Sequence, residues 1–230
     1  ESAVQDPAHT LSVNTGMLQG TVLVGGPLGL SGGTLHYFEK MLQTSVDKLG
    51  ENISDLPPGS NGLLVFPGLT GERSPFWKEY LTGGIAGLTL DHKNEHILRA
   101  LMEGCAFRVL RLLKVLSANH LKPQALNIVG GGANIDVWNQ IRSDVTGLEV
   151  RKLSSTEATS LGTALFCKAG IDNSRSLREV AKDWIGVEQC YSPDPRATDR
   201  YKKIAELFDA YMNVNEDIYR SLNDLVIHRS

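Results

Sequence analysis

Cysteine is scarce in this chain: Cys105, Cys167 and Cys190 are odd in number and far apart, so no metal knuckle or redox pair has the spacing it needs. Cys105 and Cys167 fall in helical apolar patterns and are expected to be buried thiols, with Cys190 in a loop. An excess of one charge is also missing. The 23 basic residues are spread along the chain against 26 acidic ones, for a net charge of -3, which excludes the basic field a nucleic-acid partner would require. No apolar run approaches the roughly 20 residues that span a bilayer, and the opening residues 1–6 lack the basic and apolar regions of a signal peptide. The expectation is therefore a cytoplasmic protein without a membrane partner. Internal repeats, low-complexity tracts and a flexible central linker are absent too, so the chain reads as one domain. With 41% hydrophobic and 21% charged residues among 230, it can bury a substantial core.

Glycine is not scarce, and its placement is informative. The apolar run 126–129 turns through Gly130, Gly131 and Gly132 into an amphipathic helix from 135 to 145. Residues without a Cβ permit positive φ and close ligand approach, and the helix start that follows presents unpaired N–H groups with a partial positive charge. Such a turn suits a phosphate, a ribose edge or an adenine. The same turn packs a helix closely on a sheet in many α/β proteins, so it is not specific alone. A dinucleotide fingerprint is a third reading. Gly130 and Gly132 fit it and Glu149 opens the next apolar run, but Ile135 stands where its third glycine belongs, which weakens a hydride-transfer function.

The remaining pattern is layered α/β. Strands are expected at 21–24, 63–66, 86–90, 126–129 and around Val150. Helices are expected at 32–49, 94–117, 135–145, 156–169 (capped by Gly170), 176–184 and 194–225, the last broken near its start. The helix at 94–117 has a wide apolar face and should be central to the core, while Ala158, Gly162 and Ala164 should pack the 156–169 helix on its neighbours. Five strands and six helices suit one compact mixed sheet with helices on both faces. The stripe from Tyr201 to Ile218 on the terminal helix offers a packing face for a homodimer.

Residues 68–77, rich in turn formers yet carrying Phe76 and Trp77, read as an ordered loop in which Glu72 and Arg73 form an ion pair; an arginine fork on a phosphate is the rival reading. Glu157 reads as a helix-start residue. His92 and His96 lie four apart, but no third ligand completes a metal site, so both are expected on a solvated helix start. Trp138 and Met102 are assigned to the core.

Five segments, in order, resemble the carboxyl-terminal domain of the FGGY carbohydrate kinases. They are Gly68-Leu69-Thr70-Gly71-Glu72-Arg73-Ser74-Pro75-Phe76-Trp77; Gly83 to Leu88 with Ile97 to Gly104 behind it; Gly130 to Asn134; Glu157 to Ala164; and Pro195 onward. The resemblance implies an actin-like, ribonuclease H-like ATPase fold over 1–230, forming the nucleotide-binding domain of a two-domain sugar kinase. It implies ATP or ADP with Mg²⁺ as cofactor, and transfer of the γ-phosphoryl group to a sugar hydroxyl, of xylulose or a related sugar or sugar acid. Gly131, Gly132 and Ala133 would approach the adenosine, and Asp136 would accept from the adenine amino group. Gly32, Gly33 and His36 fall where the family places a glycine and an amide side chain beside the nucleotide, the histidine being a departure. The family's general-base aspartate and Gly-Thr-Ser phosphate turn would lie upstream of Glu1, and the sugar in a separate domain, so no catalytic residue is assigned in this segment and the chain alone should be inactive. A non-catalytic actin-like regulatory module is the alternative, and a dinucleotide-binding oxidoreductase domain the third reading.

Overall fold

The computed structural model describes residues 10–16, 18, 20–155, 157–171 and 175–227. Its centre is the helix Asn94–Ala118, preceded in chain order by two shorter ones; the three are α1 (Gly32–Met41), α2 (Val46–Asp55) and α3 (Asn94–Ala118). Apolar residues crowd the middle of α3, and Leu98, Leu101, Met102, Ala106 and Phe107 are fully buried, each large side chain contributing on the order of 1.5–3 kcal/mol. Two strands, β3 (Leu64–Phe66) and β4 (Gly84–Ala86), pair antiparallel, and α3 lies against β3. The contact is close because residue 104 is glycine: an added Cβ would collide with the Val65 carbonyl oxygen. On another side of α3 lies α4 (Asp136–Thr146), whose Trp138, Ile141 and Val145 recur at helical spacing and are all buried. Helix α7 (Pro195–Val214) closes the core with Tyr201 and Phe208, the Phe208 ring sitting 4.5 Å from that of Phe66. Trp138 and Met102 are core residues as expected.

The strands do not form one sheet. Among the described residues there are three: the hairpin β1 (Ser12–Thr15) with β2 (Val22–Gly25), the β3–β4 pair, and β5 (Ala125–Ile128), β6 (Glu149–Leu153) and β7 (Val187–Tyr191) with β6 in the middle. β5 and β6 run parallel, Leu126 opposite Val150, whereas β6 and β7 run antiparallel, Val150 opposite Tyr191. Local backbone keeps the elements short. Gly62 (φ 93°) precedes β3 and Pro67 follows it, and Gly87 (φ 82°) ends β4, so of the expected strand over 86–90 only Ala86 is in β4, and Leu88 and Leu90 lie exposed in a loop. β1 and β7 were not expected, because neither alternates cleanly between apolar and polar: β7 buries only Tyr191 of its five residues.

Two expected helices are each two. The 32–49 segment breaks at Gln43 (φ 54°), after which Ser45 caps α2 by accepting from the Lys48 N–H and Glu39 accepts from that of Val46. The terminal helix starts cleanly on Asp194 and Pro195, as cap and first-turn residue, and breaks late, at Asn215, where α8 (Glu216–Ile227) begins. Helix α5 (Ala158–Ile171) continues through Gly170, which does not cap it, while Thr156 lies outside the described residues. Of α5 only Leu165 is buried; Ala158 and Ala164 are exposed, and so is Cys167, contrary to expectation. Helix α6 (Leu177–Trp184) starts with a capping box made by Ser176 and Glu179. Cys190 belongs to β7 and is exposed. On the terminal stripe Tyr201 and Phe208 are buried, whereas Leu207, Val214 and Ile218 face solvent.

A charged network lies inside the core. Glu103 is 1% exposed; its Oε1 accepts from the Gly59 N–H at 3.0 Å, Arg99 Nε at 3.0 Å and Tyr201 Oη at 2.8 Å, and Oε2 accepts from Ser60 Oγ at 3.1 Å. Arg99 also donates to the Ile53 carbonyl at 2.8 Å and to Tyr201 Oη at 3.1 Å. Four parts of the chain, α2, the 59–60 turn, α3 and α7, thus share one ion pair, although burial still pushes the Glu103 carboxyl above the ordinary range.

His96 is buried at the start of α3, not solvated as the sequence suggested; its Nδ1 accepts from the Lys93 N–H and Nε2 contacts the Asn61 amide. Burial lowers its pKa below the ordinary 6.5. The unfolded chain therefore takes up a proton first as pH falls, so the stability this group contributes is complete above about 6.5 and is lost as pH falls toward the depressed folded value. Thermal denaturation between pH 7.5 and 5.5 should show a larger fall in Tm for the native chain than for His96→Gln; parallel curves would exclude this role.

Candidate functional site

Between β5 and α4 the chain does not pass directly into the helix. Gly130 takes φ 83°, residues 131–134 form a tight 3-10 turn, and Ile135 precedes α4 without a side-chain cap. An added Cβ would meet nothing at Gly130 or Gly131, so the outer side of the turn is open. Its inner side is fixed. Ala133 is buried, its carbonyl accepting from Asn139 Nδ2 at 2.8 Å, and the Gly132 carbonyl accepts from Arg142 Nη1 at 3.0 Å. Arg142 lies over the Trp138 ring at 4.0 Å, and Trp138 Nε1 donates to the Met102 carbonyl at 3.2 Å. Burial lowers the Arg142 pKa to about 10.

The second glycine turn leads into α1. Ser31 occupies the N-cap position without capping the helix through its side chain, no acidic residue occupies the first turn, and Gly32 and Gly33 are exposed. The helix start therefore presents N–H groups that no side chain satisfies. Ser31 instead interacts with the buried Cys105 thiol, which burial raises to about 11 and which feels the charges of Arg108 and Arg142. Ser31, before α1, and Arg142, on α4, thus both act on the Cys105 thiol of α3.

The side chains of His36 and Asp136 are not brought together. His36 lines a surface cavity of about 270 Å³ with Glu39, Lys40, Gln43 and Ser45. Asp136, the first residue of α4, lines a larger one of about 620 Å³ with Arg99, Gln140, Asp144, Tyr191 and Asp194, and the two cavities share no residue. Asp136 Oδ1 accepts from Tyr191 Oη at 2.7 Å. In the 68–77 loop, Glu72 pairs with Arg108, Nε to Oε1 at 3.2 Å, and not with Arg73, which is exposed. The ion pair does pin the loop, with a partner 36 residues on instead of next door. Arg108 and Arg142 escaped the sequence reading, and the only signal was a charge set in an apolar helix face. Glu157 directly precedes α5, its carbonyl accepting from the Leu161 N–H as a helix start requires.

The C-terminal domain of the FGGY family of carbohydrate kinases matches residues 9–170. The chain belongs to the FGGY family. It is 30% identical over 186 residues to the xylulose kinase of Bacillus subtilis, covering 80% of this chain and 37% of that one. It is 29% identical over 216 residues to the gluconokinase of Bacillus licheniformis, covering 87% and 41%. The chain therefore spans about two fifths of the length of these relatives. Among solved FGGY structures, ligand-bound xylulose kinase from Lactobacillus acidophilus superposes with a TM-score of 0.83 at 23% identity, over 94% of this chain and 44% of that one. Plasmodium falciparum glycerol kinase with ADP does so with a TM-score of 0.70 at 23% identity, over 84% and 38%. The fold is thus the actin-like ATPase fold of these kinases, with its strands here in three small sheets. No described helix is long and apolar enough to cross a membrane.

Proposed function

We propose that residues 1–230 are the nucleotide-binding domain of a two-domain, ATP-dependent sugar kinase, with Gly32, Gly33, His36, Gly131, Gly132, Ala133 and Asp136 around an adenine nucleotide that spans the separate cavities of His36 and Asp136. The observation that carries the reading is the 130–133 turn, open outside and clamped inside by Arg142 and Asn139. Open backbone beside a helix N-terminus accommodates a ribose and its phosphates. Asp136, with Oδ1 engaged by Tyr191, keeps Oδ2 for the adenine amino group. The named relatives act on xylulose and gluconate, and a pentulose or sugar acid is the acceptor class we assign.

Bound ATP with Mg²⁺ would supply the phosphoryl group, the metal neutralising the phosphate charge. What this chain contributes is position: the glycine turns hold the nucleoside end, and the α1 start offers N–H donors to negative charge. Deprotonating the sugar hydroxyl needs a carboxylate beside it, which we assign to the partner domain, so the chain alone should bind nucleotide without phosphorylating a sugar.

Gly131→Val tests the seat. An added Cβ there has no protein atom within 4 Å, so the variant should keep the native circular-dichroism spectrum and Tm. Calorimetry with Mg-ADP should show binding to the native chain and a loss of about tenfold or more in the variant. A folded native chain that gives no heat, or a variant that binds as tightly, would sink the assignment.

A further inference from the structure

Arg108 is 3% exposed, yet neither its Nε nor its Nη2 has a hydrogen-bond partner. Its single acidic neighbour, Glu72, meets it at Nε, 3.2 Å away, not through the two-pronged pairing that guanidinium and carboxylate usually make. The outer edge of the guanidinium is thus left over, and leaving such a buried N–H unmatched is costly. That edge points at glycine. A Cβ built on Gly29 (φ 78°) would stand 3.3 Å from Arg108 Nη2 and 3.7 Å from Thr70 Oγ1, and both Gly29 and Thr70 are open to solvent. Two residues beyond Gly29 is Ser31, and then the α1 start, which has neither a side-chain cap nor an acidic first turn. Ser31 acts on the thiol of Cys105, which lies one helical turn before Arg108 on α3. A buried cation lacking part of its hydrogen bonding and an uncapped helix N-terminus therefore flank one short backbone segment, and both favour the same ligand chemistry, an oxyanion.

We propose that Arg108 receives a phosphate of the bound nucleotide, reached between Gly29 and Thr70 and shared with the N–H groups that open α1. The assignment of the oxyanion to a nucleotide rests on the function proposed above; the oxyanion site itself does not. Glu72 then acts as a positioning residue whose charge, 3.2 Å from Nε, keeps the guanidinium in place while Nη2 is left for the ligand.

The test is calorimetry of the native chain, Arg108→Gln and Arg108→Lys with inorganic pyrophosphate, Mg-ADP and adenosine. The native chain should bind pyrophosphate and should prefer Mg-ADP to adenosine. Arg108→Gln should weaken pyrophosphate and Mg-ADP by about 10- to 100-fold, the loss of a charged hydrogen-bond donor, and leave adenosine unchanged; Arg108→Lys should recover part of the loss. Equal binding of both phosphate ligands by Arg108→Gln, or no pyrophosphate binding by the native chain, overturns the proposal. Should Arg108→Gln unfold, Glu72→Gln decides: it keeps the arginine and removes the competing charge, so pyrophosphate should bind as well or better, and weaker binding at unchanged Tm overturns the proposal. The two readings fail separately. Adenosine binding without any gain from phosphates removes the Arg108 site and spares the adenine seat, whereas Arg108-dependent pyrophosphate binding without adenosine binding does the reverse.

Discussion

Glu103→Ala is expected to destabilise the chain by about 3–5 kcal/mol, the penalty for stranding a buried charge. The reason is less the loss of four hydrogen bonds than the fate of Arg99, which is 6% exposed and whose Nε would face no carboxylate. Gly59 and Ser60 would lose their acceptor at the same time, and the contact of α7 through Tyr201 would loosen. Natural domains hold roughly 5–15 kcal/mol in total, so the variant should lie near the unfolding threshold. Urea denaturation followed by circular dichroism checks it, with Arg99→Met/Glu103→Ala as the deciding partner. Removing both charges should recover much of the loss, because an apolar replacement of the pair leaves nothing stranded. A double variant no more stable than Glu103→Ala would show that the pair's charge is not what matters.

Gly104→Ala is the second large effect. It changes one hydrogen to a methyl group in the middle of α3, where alanine is the better helix former by about 1 kcal/mol, so propensity alone predicts stabilisation. Packing predicts the reverse: the methyl group would collide with the Val65 carbonyl oxygen and press on Pro67 Cδ. Backbone cannot step aside as a flexible side chain can, and β3 has only three residues with which to adjust. The steric term wins, and a net loss of about 3 kcal/mol is expected, at the upper end for overpacking. Gly50, a half-buried helical glycine whose added Cβ would meet no other atom, is the internal control: Gly50→Ala should raise Tm while Gly104→Ala lowers it. A rise in both would mean that α3 can shift away from β3.

What could be read from the sequence was what depends on local pattern. The long apolar face of α3, the strand leading into Gly130, and the amphipathic helix after it with Trp138 in the core could all be read locally, and all were found where expected. The family followed from five short segments in order. What could not be read depends on partners distant in the chain. Glu72 was assigned to its neighbour Arg73, although its true partner lies on α3; His96 looked like a surface residue until Asn61 and the 59–62 turn covered it. The break at Gln43 turns on a left-handed backbone in a residue with no special preference for it, and nothing in an amide side chain announces that. At the site the two glycine turns were legible and the groups behind them were not, because Cys105, Arg108 and Arg142 lie on α3 and α4, far from the first turn in the chain. The small residues of α5 were read as a packing face, yet among the described residues that face is open.

Among the described residues the three sheets do not join, which leaves α3 as the common brace of the core. In a continuous sheet, disturbing one edge is felt strand by strand; here the β1–β2 hairpin and the α5–α6 pair can come loose as separate units while the elements clasped around α3 stay shut. Slow amide hydrogen exchange would therefore concentrate in the centre of one helix, and the cooperative unit of this molecule is a spindle with attachments, not a slab.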